Sequence, residues 1–106
     1  MRLTPQQREG IITAIHPFIK NNLAELRLYG SRVHDHLKGG DIDLVLIIAD
    51  PACTTCLQQK HHMLAAMKKE IGEQKIDFKI ATPAECQEDS FLKIILPASL
   101  ILHQWG

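Results

Sequence analysis

The chain has 106 residues, which provides one domain spanning 1–106 and no second folded unit. Its composition, 45% hydrophobic and 23% charged, excludes wholesale disorder and permits a modest core without disulfide staples. Twelve Lys and Arg balance twelve Asp and Glu, so the net charge is zero with histidine neutral; this argues against a binder of long polyanions, but not against a small phosphate site.

Thr4-Pro5-Gln6-Gln7 predicts a helix start, with Thr4 as N-cap, Pro5 at the first helical position and Gln7 closing a capping box. Ile12, Ile15 and Ile19 follow at helical spacing, flanked by Ile11 and Phe18. Pro17 lacks a backbone donor and is expected to kink or end this helix, with Asn21-Asn22 as a stop. Residues 24–29 predict a short strand with Leu26 and Leu28 on one side, broken by Gly30. A short helix is expected over 31–37 and a turn at Lys38-Gly39-Gly40. Residues 41–49 predict a central strand, whose continuous apolar run fits a strand covered on both faces. One helix is expected over 53–71, with Cys53, Leu57, Leu64, Met67 and Ile71 inward and Gly72 as its stop. Residues 75–81 alternate cleanly: Ile76, Phe78 and Ile80 face one way, Lys75, Asp77 and Lys79 the other. A last helix over 84–95, stopped by Pro97, and an edge strand over 99–103 complete the order. The expected fold class is α/β (α+β), a small mixed three- to four-stranded sheet with helices packed against it.

The N-terminal segment has no apolar run after its Arg and no small-residue cleavage site, so no secretory signal is expected. The longest apolar stretch, 44–49, is too short for a bilayer. Cys53, Cys56 and Cys86 are odd in number and form no evident disulfide framework. A reducing cytoplasm, away from membranes, is the expected setting.

Candidate chemistry gathers on two features. Gly30-Ser31 lies where a strand gives way to a turn, where backbone N–H groups and a serine hydroxyl can meet phosphate. Asp41 and Asp43 lie two apart at the start of a strand and so share a face, where their mutual repulsion calls for a cation. Mg²⁺ prefers oxygen ligands and substrate phosphates. Asp77 stands mid-strand on the polar face and joins the pair if the two strands are neighbours. Three carboxylates on one face can hold two divalent ions. An isolated Asp-x-Asp is ordinary turn chemistry. The combination of strand, Gly-Ser turn, spacer, Asp-x-Asp and a third acid is what points to a site.

That combination resembles the nucleotidyltransferase superfamily typified by DNA polymerase beta. Leu28-Tyr29-Gly30-Ser31-Arg32, nine residues from Asp41-Ile42-Asp43-Leu44, looks like its Gly-Ser, spacer and Asp-x-Asp signature, and Lys75-Ile76-Asp77-Phe78 looks like its third-carboxylate strand. The spacer is one residue shorter than a frequent family form, and Gly39-Gly40 stands where polar residues are usual. The short chain resembles the minimal nucleotidyltransferases paired with HEPN-domain toxins in toxin–antitoxin modules. The resemblance implies a nucleotidyltransferase fold, with Asp41, Asp43 and Asp77 as catalytic metal ligands for two Mg²⁺ ions. Asp77 would also help deprotonate the acceptor, and Gly30, Ser31 and Arg32 would bind the nucleotide's phosphates. It further implies ATP as donor, a tyrosine hydroxyl of the HEPN partner as acceptor, AMP transfer as the reaction and a hetero-oligomer as the assembly. A non-catalytic subunit that neutralises its partner by contact is the competing expectation. Transfer to a small molecule is weaker, because the chain lacks length for a substrate-binding domain.

Other features carry plainer expectations. Cys53-Thr54-Thr55-Cys56 with His61-His62 has an irregular second pair for zinc and no redox context, and Cys53 fits an apolar stripe. Lys79 reads as a solvated strand lysine near Asp77. His34 and His36 read as surface-loop histidines, and Trp105 as edge-strand packing.

Overall fold

The computed structural model describes residues 3–33 and 40–106. Among them are five α-helices, α1 (Pro5–Ile19), α2 (Ala52–Gln58), α3 (Lys60–Ile71), α4 (Pro83–Glu88) and α5 (Ser90–Ile95), and four strands, β1 (Ala24–Tyr29), β2 (Ile42–Ile48), β3 (Ile76–Ala81) and β4 (Leu100–Trp105). The sheet has the order β3-β2-β1-β4; β1 is antiparallel to both β2 and β4, and β2 is parallel to β3. The radius of gyration, 13.0 Å, is that of a compact unit of this length. This is a mixed four-stranded α/β sheet, within the three- to four-stranded mixed sheet expected. Among the described residues, no helix is long and apolar enough to cross a membrane.

Two hydrophobic layers sandwich the sheet. On one face Leu26, Leu28, Ile42, Leu44, Leu46, Ile48, Phe78 and Ile80 pack against Ile11, Ile15 and Ile19 of α1 and Met63 and Met67 of α3. On the other, Tyr29, Val45, Ala81 and Leu92 form a smaller cluster with Ile47, Cys86, Ile95 and Leu96. The apolar run of β2 feeds both layers, which is why it does not alternate.

The predicted capping box of α1 is present: Gln7 N–H donates to Thr4 Oγ1 and Thr4 N–H to Gln7 Oε1, both at 3.0 Å. The helix does not end at Pro17 but runs on to Ile19, closing on Lys20 in the left-handed region. Proline removes one hydrogen bond of the last turn, and burial of Ile15 and Ile19 outweighs that loss. Ile11, rather than Ile12, lies at the centre of the buried stripe.

The helix expected over 53–71 is two helices. Gln59 leaves helical geometry, and its N–H is shared between Thr55 and Cys56 carbonyls. The buried positions are Cys53, Cys56, Met63 and Met67, whereas Leu57 is 49% exposed. The helix expected over 84–95 also divides, because Asp89 is extended and its carboxylate caps α5 by accepting from Leu92 N–H at 2.9 Å. An aspartate serves better as a cap than inside a helix. The stretch 31–37 opens as a 3-10 turn over Gly30–Val33; its remainder, with His34 and His36, and Lys38-Gly39 of the expected turn lie outside the described residues.

Candidate active site

The site is set by strand register. Tyr29 ends β1 directly opposite Asp43 of β2, and Asp43 is directly opposite Asp77 of β3. Side chains opposite one another on neighbouring strands share a sheet face, so the three form one row across three strands. Leu28, Ile42, Leu44 and Phe78, which alternate with them, enter the α1/α3 core. The row therefore lies on the α4–α5 face, beyond Val45, Ala81 and Leu92; Asp77 is exposed, Asp43 half-buried and Tyr29 buried.

Gly30 follows Tyr29 with φ of +78°, a conformation that favours glycine, and a Cβ there would overlap Asp43 Oδ2. The glycine thus brings turn backbone against the carboxylate. Gly40, at φ +90°, plays the matching part at the start of β2: a Cβ there would lie 2.5 Å from Ser31 Oγ. The Arg32 guanidinium makes two long hydrogen bonds, 3.4 Å each, to Gly40 O. Gly30, Ser31 and Arg32 are in this way folded onto the strand start that carries the acids. Asp41, just before β2, is half-buried; its Oδ2 lies 3.7 Å from Lys75 Nζ, a loose pair whose lysine is largely in solvent.

Charge is unevenly balanced here. Burial first, then the carboxylates of Asp77 and Asp41, raise the Asp43 pKa, and the opposing pull of Lys79 and Arg32 is smaller. Burial first, then Asp77 and Asp43, push the Tyr29 phenol well above its ordinary range, so it stays protonated. Its oxygen is buried and has no hydrogen-bond partner of ordinary geometry among the described residues, although Asp77 lies close enough to act on it directly. Lys79 is not simply solvated: it is half-buried, with Nζ 5.1 Å from the Phe91 ring centroid. The Phe91 ring in turn meets Tyr29 edge-on at 5.9 Å.

The donor chemistry fits Mg²⁺: hard carboxylate oxygens that repel one another, beside a turn able to take phosphate. The acids stand as a row and not a cage, for among the described residues no three His, Cys, Asp or Glu side chains are grouped to hold a metal. Mg²⁺ does not require one, being held through one or two carboxylates with water and substrate phosphates.

The sequence motif finds the acids and the turn but passes over Tyr29 and Phe91. Strand parity is the signal for Tyr29, since Leu26 and Leu28 face the core and the next residue must face the acids. Phe91 has no such signal, because its position depends on the break at Asp89.

No family model, curated protein or solved structure matches the chain.

The remaining candidates are structural in place. Cys53 and Cys56 are 1% and 2% exposed within the main core. Burial pushes the Cys53 thiol up to about 11 and raises that of Cys56 as well. Trp105 packs against the core and donates from Nε1 to His16 Nδ1 at 3.0 Å. His61 and His62 are exposed, their rings 4.0 Å apart.

Proposed function

We propose that the chain is a Mg²⁺-dependent nucleotidyltransferase of the minimal type, with the nucleotidyltransferase fold. It transfers AMP from ATP to a tyrosine hydroxyl of a HEPN-domain toxin in the cytoplasm and so acts as its antitoxin within a hetero-oligomer. The observation that carries this reading is the cross-strand pair Asp43–Asp77 with the Gly30-Ser31 turn folded against Asp43.

In the reaction, the acceptor oxygen forms a bond to the α-phosphorus of ATP as the bond from that phosphorus to the bridging oxygen breaks, and pyrophosphate leaves. Asp41, Asp43 and Asp77 would hold the metal, which when bound supplies positive charge against the phosphates. The Gly30-Ser31 turn positions the triphosphate, with the Ser31 hydroxyl donating to a phosphate oxygen and Arg32 supplying charge-assisted donors. Asp77, the exposed end of the row, accepts the acceptor's proton.

Co-expression tests the reading. The wild-type chain rescues cells carrying the toxin, and the recovered toxin gains the mass of AMP on a tyrosine. The Asp41→Ala/Asp43→Ala variant rescues nothing and adds no mass. A second reading, neutralisation by contact alone, draws on the absence of a three-acid cage among the described residues; full rescue by the double variant, with no mass gained, selects it.

A further inference from the structure

Tyr29 is the chain's single tyrosine. Its ring is fixed on several sides, edge-on to Phe91 at 5.9 Å and packed with Val45, Ala81 and Leu92. A phenylalanine would fill the same space. The hydroxyl adds a buried polar atom with no partner of ordinary geometry among the described residues, which is unfavourable for folding. Packing therefore does not account for it. What sets this oxygen apart is its place, at the buried end of a row whose other members are two acids.

We infer that the Tyr29 hydroxyl is a positioning donor for the acid row, hydrogen-bonding the Asp77 carboxylate when Asp43 and Asp77 are drawn together around a divalent cation. The inference rests on the proposed reading of the acids as metal ligands. A carboxylate that ligates a cation keeps lone pairs for an outer donor, and such a donor fixes the orientation in which it ligates. The register places Tyr29 two strands from Asp77 with Asp43 between, so closing the row toward its middle shortens the distance the hydroxyl must span. Asp77 already lies close enough to act on the hydroxyl, though not in ordinary hydrogen-bond geometry, and closing the row would bring the pair into it. Tyr29 touches neither nucleotide nor acceptor in this scheme, because its oxygen is covered from solvent.

The test compares wild type with Tyr29→Phe by calorimetric titration of Mg²⁺ in the presence of the non-hydrolysable α,β-methylene analogue of ATP, with the melting temperature of each cation-free protein alongside. The variant is expected to melt at or above the wild-type temperature, since it loses an unpaired buried hydroxyl, and to bind Mg²⁺ roughly ten-fold more weakly. In wild type labelled with ¹³C at the tyrosine ζ carbon, the single resonance should shift when Mg²⁺ and the analogue are added. Equal Mg²⁺ affinities in the two proteins would overturn the inference while leaving the reading of the acids intact. A lowered melting temperature with unchanged affinity would also overturn it, assigning the hydroxyl to the fold. No Mg²⁺ binding by wild type would overturn both.

Discussion

Gly30 is the residue where backbone conformation and chemistry are hardest to separate. It carries a positive φ and lies against Asp43 Oδ2, so Gly30→Ala meets two penalties at once. Left-handed strain alone is worth about 1–3 kcal/mol, and denaturant titration should show a loss of that size together with weakened Mg²⁺ binding. Asp43 makes the opposite prediction. Its folded pKa lies above the ordinary 3.8, so the native state holds the proton more tightly than the unfolded chain does. Its contribution is then most favourable below the unfolded value and is lost as pH rises through the folded one. Asp43→Asn should therefore raise the melting temperature of the cation-free protein at pH 7, with the gain vanishing below about pH 4. Burial holds Cys53 and Cys56 as protonated core thiols. Neither should react with iodoacetamide in the native protein at neutral pH, and both should react once it is unfolded, as peptide mass mapping would show.

Elements show how far the sequence can be read. The strands are legible because apolar runs and alternation report burial directly, and β1 lies where 24–29 predicts it. The neighbouring placement of β2 and β3 is a tertiary fact, and until it is known Asp77 is a conditional partner of Asp43. Helix breaks are less legible. Nothing in Gln58-Gln59 marks the division of α2 from α3, whereas Asp89 can be recognised as a cap once its turn is extended. The break at Asp89 has consequences for the site, because it orients α5 so that Leu92 and Phe91 pack on Tyr29. Asp89→Ala should cost about 1 kcal/mol in denaturant titration by removing the α5 cap.

At the scale of the molecule, a sheet covered on both faces leaves a bare margin where the cover of α4 and α5 stops, and the acids occupy that margin. The chain's zero net charge conceals this local clustering of acids. A folded state that binds cation and nucleotide is stabilised by mass action, so Mg²⁺ with ATP at one hundred times its dissociation constant should add about 2.7 kcal/mol, and Asp41→Ala/Asp43→Ala should abolish the gain. Under the proposed function, burial of Tyr29 predicts that nucleotidyl transfer to tyrosine spares the chain's own residue. The most direct test incubates the purified chain with the proposed HEPN partner, Mg²⁺ and ATP labelled at either the α- or the γ-phosphorus. Nucleotidyl transfer predicts that the α label appears on the partner's tyrosine, the γ label leaves as pyrophosphate, and the Asp41→Ala/Asp43→Ala variant transfers neither. Transfer of the γ label, no transfer at all, or α transfer undiminished in the variant would contradict the account.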